Sequence, residues 1–149
     1  MNVGRTCKHQ LVSITPETGL TAAAQLMREK HIGYLVVIET GTQAARLVGV
    51  LTDRDIVISV VARGVDAKDL TVGDVMSREP VTVHEEQAID EAVRTMRRMG
   101  VRRLPVVSSK GAVVGVLSLD DVIDTLAGEI GDLAGAMHSE QRIEGVLRP

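Results

Sequence analysis

The sequence predicts a mixed α/β (α+β) fold built from two copies of one β-α-β-β-α unit. The main observation is an internal repeat, because Gly49-Val50-Leu51-Thr52-Asp53-Arg54-Asp55 returns as Gly115-Val116-Leu117-Ser118-Leu119-Asp120-Asp121. Apolar positions upstream match as well, beginning with Met27 and Met96, which are 69 residues apart. The repeated segments themselves are 66 residues apart, so the first copy carries a longer connecting loop. Neither unit alone covers both faces of a small sheet, and we expect the two units to pack together.

The first unit is predicted to occupy residues 11–65. A short strand at 12–15 is stopped by Pro16, and apolar residues at helical spacing predict a helix at 20–31 that ends at Gly33. The continuous apolar run at 34–38 is typical of a strand that is buried on both faces. A loop at 39–45 leads to a strand at 47–51, and a helix at 53–62 is closed by Gly64.

The second unit, predicted at residues 80–127, repeats this order after a linker at 66–79 that contains a short helix at 71–76. Its elements are a strand at 81–83, a helix at 86–99, strands at 104–107 and 113–117 joined by a turn at 109–111, and a helix from 119.

Residues 1–10 are polar and aperiodic, and they predict a tail or an extended lead-in. Residues 128–149 form a C-terminal helical extension, since apolar residues line one side of the segment 120–137. Gly128, Gly131 and Gly135 interrupt the segment 120–137, at a cost of about 1 kcal/mol each relative to alanine. The extension is therefore either a frayed tail or a packing surface for a partner chain.

The composition excludes several classes of protein. The 149 residues are 44% hydrophobic but include no Trp or Phe and a single Tyr, so the core must be aliphatic and a bound base would be gripped by aliphatic side chains and backbone. A net charge of −3 argues against a nucleic-acid partner, and the arginines between residues 94 and 98 fit the solvated face of a helix. Cys7 is alone, which excludes an intrachain disulfide and a cysteine metal cluster. No apolar run approaches the roughly 20 residues that span a bilayer, and no signal peptide opens the chain. We expect a soluble cytoplasmic protein without a membrane partner.

The sequence shows no catalytic constellation and no metal site. Its four histidines lack metal-ligand spacing, and neither a phosphate-binding loop nor a nucleophile with a base is present. The doubled Thr52-x-x-Asp55 and Ser118-x-x-Asp121 has two interpretations. Each copy fits a capping box at a helix start. Each copy also lies where a strand ends and a helix begins, and an aspartate there suits the vicinal hydroxyls of a ribose. The two roles are compatible.

Taken in order, these segments resemble a tandem pair of cystathionine-β-synthase (CBS) domains, also called a Bateman module. The residues that carry the resemblance are the two Gly-Val-Leu-[Thr/Ser]-x-x-Asp motifs, Val72-Gly73-Asp74-Val75-Met76 and Gly100-Val101-Arg102-Arg103-Leu104-Pro105-Val106-Val107. The resemblance implies pseudo-two-fold packing and two clefts between the motifs, each able to hold an adenosine-containing ligand.

Each implied cleft draws on both motifs. One has Ser118 and Asp121 at the ribose, and the other has Thr52 and Asp55. The implied base-surrounding residues are Thr15, Ile32, Gly33 and Val116 for the first cleft and Val50, Val83, His84 and Val101 for the second, with Tyr34 as a further base-surrounding residue. Arg102 and Arg103 are the implied phosphate residues, with Arg54 as a further candidate near the second cleft. Because Gly33 and Tyr34 stand where the second copy has these arginines, we expect the Ser118/Asp121 cleft to hold phosphorylated ligands better.

The leading hypothesis is a non-enzymatic stand-alone sensor that needs no cofactor and binds an adenine nucleotide as its regulatory ligand. A separate effector protein would receive the output. We also expect a homodimer, in the flat disk that the resemblance implies, through the apolar stripes Ile56, Val57, Val60, Val61 and Val122, Ile123, Leu126. The alternative is an interaction or dimerisation module whose clefts stay empty. A small nucleotide-converting enzyme is a third interpretation, for which no base or nucleophile is in place.

Overall fold

The computed structural model describes residues 1–41 and 45–147, and it shows the mixed α+β fold that the sequence predicts. The α-helices span Val3–Thr6 (α1), Leu20–Lys30 (α2), Asp53–Ile56 (α3), Val72–Val75 (α4), Ile89–Met99 (α5) and Leu119–Leu147 (α6). The strands span Ser13–Ile14 (β1), Tyr34–Thr40 (β2), Ala45–Thr52 (β3), Ser77–Arg78 (β4), Val83–His84 (β5), Arg103–Val107 (β6) and Val113–Ser118 (β7). A π-helical turn, Val57–Val61, continues α3, and a 3₁₀ turn spans Ala67–Asp69.

The internal repeat appears as two small sheets with the same topology. The strand order is β1-β2-β3-β4 in the first sheet and β5-β6-β7 in the second. In each sheet the first strand, β1 or β5, is parallel to its neighbour, and the next pair is antiparallel. The first sheet adds β4, which is antiparallel to β3. Val37 pairs with Gly49 just before a register shift, as Val106 pairs with Gly115 in the second sheet. The repeated Gly-Val-Leu motif therefore occupies equivalent strand positions in both units.

Each unit encloses an aliphatic core. Leu20, Leu35 and Leu51 are completely buried in the first core, and Leu104 and Leu117 take the equivalent central places in the second. Aliphatic side chains dominate both cores because the chain has almost no aromatic residues.

The N-terminal residues differ from the predicted tail or extended lead-in. They form the one-turn helix α1, whose Val3 is completely buried in the second core. The Val3 amide donates to the Gln87 carbonyl at 2.9 Å, and Lys8 exchanges two backbone hydrogen bonds of 3.0 Å with Val116. The physical reason is that Val3 and Cys7 repeat Val72 and Met76 of the first core, 69 residues earlier. Two apolar residues one helical turn apart lie on the same face of a helix, so both can pack into the core although the rest of the segment is polar.

We expect Val3→Ala to lower the free energy of unfolding by about 1–3 kcal/mol, because the substitution leaves a void in the second core. Arg5→Ala in the same helix removes an exposed side chain and should change stability by less than about 0.5 kcal/mol. Urea unfolding of both variants measures this difference. Equal, negligible effects would show that residues 1–10 behave as a tail.

The remaining differences lie at element ends. β4 was absent from the prediction because a two-residue edge strand leaves no alternating pattern. The helix predicted to start at 86 starts at Ile89, and the helix predicted to end at Gly33 ends earlier, where His31 adopts a left-handed conformation. The strands that flank the predicted 39–45 loop extend to Thr40 and from Ala45, and positions 42–44 of that loop lie outside the described residues.

The C-terminal segment is a continuous helix to Leu147 and not a frayed tail. Every described side chain from Leu126 onward is exposed, including Ile130, Leu133 and Met137 at 67–68%. Apart from the helix's own backbone, no atom lies within 4 Å of where a Cβ would stand on Gly128, Gly131 or Gly135. The apolar stripe of α6 thus faces solvent in the single chain.

Candidate functional site

Two cavities lie between the units, and each receives one copy of the repeated motif. The first has a volume of about 370 Å³ and contains Ser118 and Asp121 in its wall. The second has a volume of about 700 Å³ and contains Thr52 and Asp55. In both, the motif joins the end of an antiparallel strand to the start of a helix, β7 to α6 and β3 to α3.

The motif in the second cavity is a capping box. The Thr52 amide and hydroxyl each donate to Asp55 Oδ2 at 2.8 Å, and the Asp55 amide donates to the Thr52 hydroxyl at 3.1 Å. The capping interpretation is therefore confirmed here. Asp55 Oδ1 makes no hydrogen bond or ion pair with any residue that the structure describes, and the side chain is half-buried in the cavity wall. Capping thus leaves one carboxylate oxygen free to accept from a ligand.

The motif in the first cavity has the same cap but a further partner. The Ser118 amide donates to Asp121 Oδ2 at 3.1 Å, the Ser118 hydroxyl also donates to Oδ2, and the Asp121 amide donates back to Ser118 at 3.1 Å. Asp121 Oδ1 lies 3.0 Å from the Lys8 ammonium nitrogen. Both oxygens of this carboxylate are engaged, and Asp121 is only 8% exposed.

The pKa values of Asp121 and Lys8 are both shifted by their contact with each other. Burial opposes ionisation of Asp121, but hydrogen bonds from Ser118 and Lys8 outweigh it and lower the pKa of the carboxyl. The same bond to Asp121 raises the pKa of the Lys8 ammonium. The sequence does not predict Lys8 as a site residue, because residues 1–10 are polar and aperiodic and predict a tail or an extended lead-in.

Acidification should weaken the protein through Asp121. Because its pKa is lower in the folded state, its stabilising contribution is present above the unfolded value, near pH 4, and is lost as pH falls through the folded value. We expect the gap in free energy of unfolding between wild type and Asp121→Asn to shrink from pH 6 to pH 3. Urea unfolding at both pH values measures the gap. A gap that widens on acidification would contradict the assigned direction of the shift.

Most of the predicted base-surrounding residues line one of the two cavities, and three of them line neither. Ile32, Gly33, Tyr34 and Val116 line the first cavity, and Val50 and Val101 line the second together with Tyr34.

Thr15, Val83 and His84 line neither cavity. Thr15 directly follows β1, and Val83 and His84 form β5. Thr15 instead contacts Thr18, and Val83 is packed in the second core.

Apolar residues that the prediction missed complete the cavity walls. Val81 and Met99 line the second cavity beside Val101. Val81 is 36% exposed, Met99 47% and Val101 40%. Val12 lines the first cavity and stands 69 residues before Val81. Comparing the two copies at that offset would have identified both valines.

The predicted phosphate residues all line the second cavity, and one of them lines both. Arg102 and Arg54 line the second cavity, and the Arg102 guanidinium lies 3.4 Å from the exposed Asp120 carboxylate. Arg103 lines both cavities and stands over the Tyr34 ring, 5.9 Å from its centre. Asp120, which Arg102 contacts, lines the first cavity. The expected placement of Arg102 at the Ser118/Asp121 cleft therefore stays a prediction.

Tyr34 separates the two cavities. Its hydroxyl is buried and has no hydrogen-bond partner among the described residues, and burial raises the pKa of its phenol, with Arg103 opposing the shift. Tyr34 and Arg103 thus form a wall that faces both clefts.

The described part of the chain lacks two other kinds of feature, a metal-ligand cluster and a membrane-spanning helix. Within residues 1–41 and 45–147, no cluster of three or more His, Cys, Asp or Glu side chains has the arrangement needed to hold a metal ion. None of the helices there combines the length and the apolar character needed to cross a membrane.

Comparison with known proteins agrees with this architecture. The chain is 32% identical over 143 residues to the CBS domain-containing protein YhcV of Bacillus subtilis, covering 95% of this chain and 98% of that protein. It is 31% identical over 123 residues to an uncharacterized protein of Methanopyrus kandleri, covering 83% of this chain but 61% of the relative. Among solved structures, the CBS domain pair of protein MJ0100, in complex with 5-methylthioadenosine and S-adenosyl-L-methionine, superposes with a TM-score of 0.75. That match has 22% sequence identity and covers 87% of this chain and 98% of the other, so it shows a shared fold.

The family assignment rests on both halves of the chain. Residues 3–62 and 72–128 each match the CBS domain family. The first match begins at Val3, where α1 begins. The chain therefore belongs to the CBS domain family, as a tandem pair of CBS domains.

Proposed function

We propose that this CBS pair is a non-enzymatic regulatory module that binds adenosine-containing ligands, such as AMP, ADP or ATP, in its two clefts. The observation that carries the proposal is the repeated Thr/Ser-x-x-Asp cap, which presents an aspartate at the polar end of a partly apolar cavity in both units. The MJ0100 pair, which shares the fold, was solved with two adenosine-containing ligands.

The proposed binding mode divides each ligand into three parts. The ribose hydroxyls donate to the aspartate, for which Asp55 has a free Oδ1. The base lies against aliphatic side chains, since the second cavity offers Val81, Met99 and Val101 but no stacking platform besides Tyr34. A phosphate meets Arg54, Arg102 or Arg103, because guanidinium groups bind phosphate with paired hydrogen bonds.

The proposed output is a change in association with other chains. Val57, Ile58 and Val61 are 50–73% exposed at the end of the first unit, and Ile123 and Leu126 are 54% and 43% exposed on α6. Val60 and Val122, which were expected in the same stripes, are instead buried in the cores. We infer that the exposed residues form a homodimer interface, because exposed apolar stripes of this size favour association. A ligand would act on a separate effector through the shape of that dimer.

Thermal unfolding with a ligand panel tests the proposal. A ligand at 100 times its Kd should add about 2.7 kcal/mol of stability and raise the melting temperature. The panel is AMP, ADP, ATP, NAD and S-adenosylmethionine, and the control is the Asp55→Ala/Asp121→Ala double variant, which should show a clearly smaller shift at the same ligand concentration. No shift in the wild-type protein with any ligand would contradict the proposal. Product formation during incubation with ATP would contradict the non-enzymatic part of it.

A second candidate is an interaction module whose clefts stay empty. The stripe of Ile130, Leu133 and Met137 on α6 favours it, since these apolar side chains are about two-thirds exposed in the single chain. The same thermal-unfolding experiment distinguishes the two functions, because a pure interaction module shows no ligand-dependent shift of the melting temperature. It would still show a concentration-dependent melting temperature.

A further inference from the structure

Lys8 places a positive charge on the carboxylate of one cleft. Its backbone is fixed by two 3.0 Å hydrogen bonds to Val116, and its ammonium lies 3.0 Å from Asp121 Oδ1. The glycine beside Val116 makes this approach possible, because a Cβ on Gly115 would stand 2.6 Å from the Lys8 carbonyl oxygen. The Lys8 side chain is 76% exposed, whereas Asp121 is 8% exposed. The ammonium therefore caps the carboxylate from the solvent side.

The second cleft has no such contact at the equivalent place. Ser77 corresponds to Lys8 by the 69-residue offset, and it pairs with Val50 of β3 as Lys8 pairs with Val116 of β7. Ser77 also lines the cavity that contains Asp55. In the described chain no cation lies within ion-pair distance of Asp55, so its Oδ1 stays open to a ligand. The backbone geometry is shared, and the charge is present on one side alone.

We propose that Lys8 makes the Ser118/Asp121 cleft selective for adenosine ligands that carry an anionic group, whereas the Thr52/Asp55 cleft also accepts neutral nucleosides. The inference rests on the proposed function and extends it to ligand choice. The Lys8 ammonium covers Asp121 Oδ1 from the solvent side, so a ribose that donates to this oxygen competes with it for the carboxylate. A neutral nucleoside offers the ammonium no anionic partner of its own in exchange. A phosphate or another anionic group pairs with the released ammonium, and the exposed Lys8 side chain has the freedom to follow it.

Calorimetric titration of adenosine and AMP into single-cleft variants tests this inference. Asp55→Ala leaves the Ser118/Asp121 cleft, and Asp121→Ala leaves the Thr52/Asp55 cleft. In the first background, Lys8→Ser should raise adenosine affinity by up to about fivefold, the size of an ion pair with an exposed partner, without raising AMP affinity. In the second background, Ser77→Lys should lower adenosine affinity by a similar factor. Lys110→Ser removes the same charge from an exposed turn outside both cavities and is the control.

Each outcome is decisive. Lower or unchanged adenosine affinity in Lys8→Ser, with AMP still bound, would overturn the selectivity and leave the proposed function intact. Binding of neither adenosine nor AMP to the wild-type protein and its single-cleft variants would overturn this inference together with adenosine binding by the clefts. The reciprocal change in Ser77→Lys guards against a folding artefact, because it adds the ammonium to a cleft that folds without one.

Discussion

Replacing Asp55 by alanine is expected to lower the affinity of the Thr52/Asp55 cleft for AMP by more than about tenfold. A hydrogen bond to a charged group contributes roughly 1.5–3 kcal/mol, and 1.4 kcal/mol corresponds to a factor of ten in binding. The same substitution removes one side of the Thr52 capping box and should cost about 1 kcal/mol of stability. Asp121→Ala should act likewise on the other cleft.

Calorimetry and melting curves on the same samples separate the two roles of this aspartate. Asp74→Ala is a matched control, because Asp74 closes a capping box with Thr71 at the start of α4 and lines neither cavity. It should lose a similar amount of stability and keep its ligand affinity. If Asp55→Ala behaves like Asp74→Ala, the repeated motif is only a helix cap.

Replacing Val61 by aspartate is expected to raise the dissociation constant of the proposed homodimer by at least about tenfold. Val61 is 73% exposed in the single chain and lies beside Val57 and Ile58, so a charge there would be buried without a partner on association. The stability of the single chain should change little, because an exposed site tolerates the substitution. Analytical ultracentrifugation over a micromolar concentration series measures the effect.

Lys110→Asp, in an exposed turn of the second unit, is the control for added negative charge and should sediment like the wild type. A wild-type protein that sediments as a monomer throughout the concentration series would contradict the dimer. An unchanged dissociation constant in Val61→Asp would show that the interface lies elsewhere, and the exposed apolar stripe of α6 would be the next surface to test.

The repeat in the sequence was sufficient to predict the central elements of the fold. The strands that contain Leu35 and Leu104 lie at the predicted positions, and so do the helices that contain Met27 and Met96. These elements are long enough for their apolar pattern to be read. Two short elements, β4 and α1, are not predicted, because two to four residues have no period. The sequence does contain a signal for α1, since Val3 and Cys7 match Val72 and Met76.

The candidate site was predictable where it depends on the repeated motif and less so elsewhere. The positions of Ser118 and Thr52 follow from the strand-to-helix junction, which a local sequence determines. The contact between Lys8 and Asp121 depends on chain segments more than 100 residues apart, and no local pattern indicates it. The reach of Arg103 into both cavities is likewise a tertiary property, since it depends on how the two units face each other.

A crystal structure grown with saturating AMP tests the central claim most directly. The account predicts AMP between the two units, with the ribose hydroxyls within hydrogen-bond distance of Asp55 Oδ1 and the base against Val101 and Met99. It further predicts that any AMP in the other cleft contacts Asp121 with the Lys8 ammonium moved from Oδ1 toward the phosphate. Two empty clefts at a concentration of AMP that raises the melting temperature, or AMP bound away from both aspartates, would contradict the account.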